Sequence, residues 1–96
     1  MRMLMKVQLP MGDGNRAVQD GTLPDIIRNT LDSIKPEAAY FMTMDGERTM
    51  LAVFDLKATS DIPSIAEPLL MGLNASVDLM PCMNAEDLKV GLSAVK

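Results

Sequence analysis

From Met3 to Leu9 the apolar residues Met3, Met5, Val7 and Leu9 alternate with Leu4, Lys6 and Gln8. A period of two predicts a half-buried strand, and Pro10 ends it. Gly12-Asp13-Gly14 then predicts a tight loop, after which Asn15 caps a short helix that stops near Asp20-Gly21. Thr22 predicts a second cap, with Asp25 three residues further on. Leu23, Ile26, Ile27, Leu31 and Ile34 follow at helical spacing until Pro36 prevents continuation.

Ala38–Met44 and Arg48–Leu56 are two β-prone runs joined through Asp45-Gly46, the residue pair suited to the positive φ angles of a type I′ hairpin. With those two residues as the loop, Met44 faces Glu47, Met42 faces Thr49, Phe41 faces Met50, Tyr40 faces Leu51 and Ala39 faces Ala52. That register sorts the side chains onto two faces. Ala39, Phe41, Thr43, Arg48, Met50, Ala52 and Phe54 share one; Tyr40, Met42, Met44, Thr49, Leu51, Val53 and Asp55 share the other.

Beyond the hairpin, Ser60 is placed to cap a helix with Ile62, Ile65, Ala66, Leu69, Leu70 and Leu73 at helical spacing and Gly72 near its end. Pro68 lies inside that run, where a missing N–H predicts a kink or a division into two pieces. Ser76–Met83 alternates again, and Pro81 marks an edge strand or a strand end. Asn84, with Asp87 three residues on, caps a terminal helix through Leu88 and Leu92. The expected fold is therefore α+β, a ferredoxin-like β-α-β-β-α-β antiparallel sheet with helices on one face and a short C-terminal helix. Residues 1–96 are expected to form a single domain of this kind.

Composition narrows the possible partners. An apolar fraction of 48% and a charged fraction of 23% suit a globular chain. Thirteen acidic residues against nine basic ones give a net charge of −4. That balance argues against nucleic acid or an anionic membrane as partner, and aromatic residues at 3% argue against base stacking. Lys6 and Gln8 interrupt the apolar opening and no small-residue cleavage site follows, so it reads as a strand and not as a signal peptide. The single cysteine, Cys82, fits a reducing compartment, and cytoplasmic location is the expectation.

The chain contains no histidine. Serine or cysteine nucleophiles activated by histidine, histidine-ligated haem and the usual zinc sites are thereby removed. Gly12-Asp13-Gly14 with Arg16 sits where a phosphate cradle could form, but no full glycine-rich or lysine-bearing motif is present and Asp13 would repel an anion, so a turn is preferred. Cys82 has no partner base and reads as a buried structural thiol. Ten methionines, including Met3-x-Met5 and Met42-x-Met44, would suit a soft metal, yet methionine equally fills cores, and the acidic spacings near Asp20 and Asp55 fall at turns and caps. No metal or cofactor is expected. Tyr40 and Arg48 alone combine reach with strong hydrogen-bonding capacity in the hairpin, and Lys6 adds a third polar group on the sheet. The plainer reading has Tyr40 bonding a backbone group and Arg48 reaching solvent from the hairpin tip.

The stretches MLMKVQLP, GNRAVQDGTLP, AAYFMTMDGERTMLAVFDL and SIAEPLLMGLNASVDLMPCMNAEDL resemble a group of small bacterial and archaeal proteins without assigned activity, which have the dimeric α/β-barrel version of the ferredoxin-like fold. The resemblance spans nearly the whole chain. It implies that fold and a homodimer and carries over no catalytic residue. The leading expectation is a homodimer formed through a sheet face that accommodates a small apolar molecule between helices and sheet, with Tyr40, Arg48 and Lys6 as candidate ligand-binding residues. The alternative, drawn from fold relatives, is a cofactor-independent oxygenase or isomerase acting on a small aromatic or carbonyl compound. There Tyr40 would donate a proton while Arg48 or Lys6 steadied an enolate.

Overall fold

The computed structural model describes residues 1–96 and contains β1 (Arg2–Gln8), α1 (Met11–Asp20), α2 (Thr22–Ile34), β2 (Ala38–Met44), β3 (Glu47–Asp55), α3 (Ile62–Leu73), β4 (Ser76–Pro81) and α4 (Ala85–Ser93). A single 3-10 turn, Thr59–Asp61, leads into α3. The four strands form one antiparallel sheet in the order β2-β3-β1-β4. The hydrophobic alternation becomes a core because Met3, Met5 and Val7 of β1 lie in register with Phe54, Ala52 and Met50 of β3 and with Pro81, Leu79 and Val77 of β4. Ile34 of α2 and Ile65, Leu69 and Leu73 of α3 pack against that face.

The hairpin register agrees with the expectation at every pair, from Ala39 opposite Ala52 to Met44 opposite Glu47. Asp45 and Gly46 both have positive φ, +55° and +77°. β1 holds this hairpin at its tip, since Gln8 Nε2 donates to the Met44 carbonyl at 2.9 Å and to Thr49 Oγ1 at 3.2 Å.

Local expectations fail where tertiary packing supplies another solution. Gly12-Asp13-Gly14 is not a loop: α1 begins directly after Pro10, and the Gly14 N–H donates to the Pro10 carbonyl at 2.8 Å. Asp13 makes its ion pair with Arg16 within that helix. Thr22 opens α2 without capping it, and the capping work passes to Asp20, whose Oδ1 accepts from the Thr22 N–H at 2.9 Å. Ser60 lies in the 3-10 turn and makes no side-chain cap. α3 continues as one helix through Pro68 because the proline is on its exposed side while Ile65, Ala66, Leu69 and Leu73 are buried, so the freed carbonyl faces water. Gly72 lies near the end of the helix as expected, and the left-handed cap is Asn74, at φ +50°. Gly72 serves packing, since a Cβ there would lie 2.8 Å from Ile26 Cδ1 of α2.

The capping box at Asn84 forms as expected, with its side chain accepting from the Asp87 N–H at 2.8 Å and Asp87 accepting from the Asn84 N–H at 3.2 Å. α4 nevertheless buries no residue, and its tie to the sheet is the Arg2–Asp87 ion pair at 3.1 Å. The radius of gyration is 15.1 Å, against about 12.5 Å for a compact chain of this length. The molecule extends 53 × 28 × 17 Å, whereas a seven-residue strand spans only about 24 Å.

Candidate functional site

Helices occupy one side of the sheet, and the other side is open. Its rows run Ala38–Val53–Leu4–Met80, Tyr40–Leu51–Lys6–Asp78 and Met42–Thr49–Gln8–Ser76 across the four strands. Of the two sets the hairpin register offered for the uncovered face, Met42, Leu51 and Val53 form it, while Met50 and Phe54 are buried under the helices.

Tyr40 and Lys6 share one row of this open face with Leu51 between them, two strands apart, so their backbones are about 9.6 Å from each other. Tyr40 is 64% exposed and its hydroxyl makes no hydrogen bond within the chain, so the expected backbone partner is absent. Arg48 lies on the opposite side, and it does not simply reach solvent. Its side chain folds over α1, where a Cβ added at Gly14 would meet Nη1 at 2.8 Å and Cδ at 3.5 Å. The three candidate residues therefore do not converge within one chain.

Arg48 lines an apolar pocket of about 210 Å³ with Leu9, Leu23, Ile27, Phe41, Met42, Thr49 and Met50. Leu23 and Ile27 come from the first turns of α2, one turn apart on its inner face. Leu9 continues the alternation of β1 beyond its last residue, and Phe41 and Met50 are cross-strand partners. Met42 and Thr49, the cross-strand pair next to Phe41 and Met50, complete the lining near the hairpin tip. Phe41 at its rim is 59% exposed. The spacing of Leu9, Leu23 and Ile27 in the sequence predicts core positions. Their joint presence beside Arg48 depends on how α2 crosses the sheet, which no local pattern encodes.

A larger cavity of about 420 Å³ lies at the far end of the sheet, between the end of α2 and the start of α3. Its lining mixes Ile34, Phe54, Leu56 and Ile65 with charged groups, of which Asp55 and Lys57 already pair at 2.6 Å. That ion pair, together with the N-terminal ammonium 2.6 Å from Asp55, lowers the Asp55 carboxyl to about 2 and raises the Lys57 ammonium. Arg2 is raised by its hydrogen bond to Glu37 at 2.6 Å, and Asp20 is lowered by the bonds it accepts from Thr22. None of these groups lines the apolar pocket, which therefore offers burial and one cation and lacks a tuned acid–base pair.

Cys82 is half-exposed, a departure from the buried thiol expected, since its strand ends at Pro81 and its N–H only reaches back to the Arg2 carbonyl at 3.1 Å. Met3 and Met5 are core residues, whereas Met42 and Met44 lie on the open face, so the methionines do not form one cluster. No group of three or more histidine, cysteine or acidic side chains is arranged to hold a metal ion. No helix is long and apolar enough to cross a membrane. Comparison with protein-family models finds no match, and neither does comparison with curated proteins.

Proposed function

We propose that the chain is a ferredoxin-like subunit of a homodimer that binds a small, largely apolar molecule in the pocket between α2 and the hairpin end of the sheet. The strand order β2-β3-β1-β4 and the helices on one face support the fold assignment, in line with the resemblance seen in the sequence. The observation that carries the ligand reading is an apolar lining with Arg48 as its only charged group. A volume of about 210 Å³ falls below the roughly 300–1,000 Å³ of drug-sized sites. Cavities of about 150 Å³ hold a single aromatic ring. The ligand class is therefore a single-ring or short-chain compound, and Arg48 favours a carboxylate at one end of it.

The open sheet face supports the homodimer. Leu4, Leu51, Val53, Met42 and Met80 form a contiguous apolar surface that a second copy would remove from water. Thermal shift and native mass spectrometry with short-chain and single-ring carboxylates test the ligand reading. Saturable stabilisation lost in Leu23→Trp, which fills the pocket, is expected. Stabilisation unchanged in that variant, or absent with every carboxylate up to millimolar concentration, would overturn it.

A further inference from the structure

We propose that α4 of each subunit lies across the β2 edge of its partner and closes the partner's apolar pocket, an inference that rests on the homodimer proposed above. α4 is a fully formed helix with a capping box, yet it buries nothing in its own chain. Leu88 and Leu92 lie one turn apart on one side of it, 46% and 59% exposed, and Val90 on the other side is 61% exposed. A capped helix that exposes all of its large apolar side chains and has no partner in its own chain presents a surface to another chain.

The occupant follows from area and placement. The open face of a four-stranded, seven-residue sheet measures roughly 450 Å², whereas a stable interface takes about 800 Å² from each partner. Sheet packing alone falls short. A nine-residue helix lays down a footprint of roughly 135 Å², so each subunit's own arm and the surface under its partner's arm bring the total close to that requirement.

Placement selects the corner. Pro81 pairs with Met3, so β4 ends and α4 begins at the β4 edge, at the end of the sheet remote from the hairpin tip. The pocket lies at the β2 edge beside that tip, diagonally opposite. A two-fold axis along the other diagonal of the sheet, which crosses the strands of the two subunits near a right angle as in orthogonal sheet packing, exchanges these two corners. Arg2 belongs to the open face and pairs with Asp87, so the helix leaves from the side on which the second copy packs. The arm of one subunit thus meets Phe41 of the other, and the pocket that stands half-open in one chain becomes enclosed in two.

The test uses the full chain in a Cys82→Ser background carrying Phe41→Cys and Leu88→Cys. Mild oxidation should yield a covalent dimer on a non-reducing gel. Tyr40→Cys with Leu88→Cys serves as a second pair should the first variant fold poorly. Light scattering of the unmodified protein is run in parallel, so the two ideas can fail separately. A dimer that forms no interchain disulfide with either pair, or a monomer cross-linked within itself, overturns the exchange of α4 while leaving the homodimer standing. A monomeric wild-type chain removes both. Leu88→Glu with Leu92→Glu should weaken dimerisation at least tenfold, and unchanged dimerisation would also refute the exchange.

Discussion

Gly46 is where one substitution tests the hairpin most directly. Its φ of +77° follows +55° at Asp45, the two positive angles of a type I′ turn. A Cβ placed at Gly46 has no neighbour within 4 Å, so Gly46→Val creates no clash and its effect arises from the backbone. The left-handed region costs an ordinary L-residue about 1–2 kcal/mol, and branching at Cβ makes it worse. Loss of glycine's freedom in the unfolded chain offsets about 0.4–1 kcal/mol of this. A net loss of roughly 1 kcal/mol is expected, a fall in Tm of about 4–8 °C for a chain of this size. Gly46→Asn, which tolerates the same angle, should lose clearly less. Urea denaturation followed by circular dichroism at fixed protein concentration measures both, with the slope unchanged. A Val loss below about 0.5 kcal/mol, or an equal loss for Asn, would refute the assignment of the cost to backbone strain.

The open face predicts that light scattering coupled to size exclusion reports twice the 10.4 kDa chain mass at micromolar concentration. Leu51→Glu, in the middle of that face, should shift the protein to monomer, and a fully dimeric variant would place the interface elsewhere. Asp55 predicts a pH dependence: its folded value of about 2, held down by Lys57 and the N-terminal ammonium, lies below that of an unpaired aspartate. Its contribution to stability is therefore present above about pH 4 and is lost as pH falls toward 2. Asp55→Asn should flatten the acid limb of the urea midpoint between those values, and an unchanged limb would show that the pairing does not persist in solution.

Much of the architecture was legible because the signals were local and periodic. The alternation Met3-Met5-Val7-Leu9, the helical spacing from Leu23 to Ile34, the Asp45-Gly46 turn and the Asn84 capping box each depend on residues within a few positions of one another, and each appears where expected. Helix boundaries were less legible. Gly12, Gly14, Pro68 and Gly72 are breakers by intrinsic preference, yet all four lie inside helices. Gly14 is helical where Arg48 crosses it, Gly72 where Ile26 approaches, and Pro68 stays helical because its freed carbonyl is solvated.

Among the candidate site residues, the hairpin register alone placed Tyr40 and Arg48 on opposite sides of the sheet, because a period of two admits no other arrangement once the turn is set. Which side the helices cover, and hence that Tyr40 and Lys6 lie on the open face while Arg48 lines a pocket, required the tertiary structure. Both faces of the hairpin are apolar, so periodicity does not distinguish core from interface. The choice is made by β1 pairing between β3 and β4, which sets the buried Met5 and Ala52 in one row with the partly buried Leu79 on the side that α2 and α3 cover. The pocket exists for the same reason: Leu9, Leu23 and Phe41 are distant in sequence, and only the passage of α2 over the hairpin end brings them to Arg48.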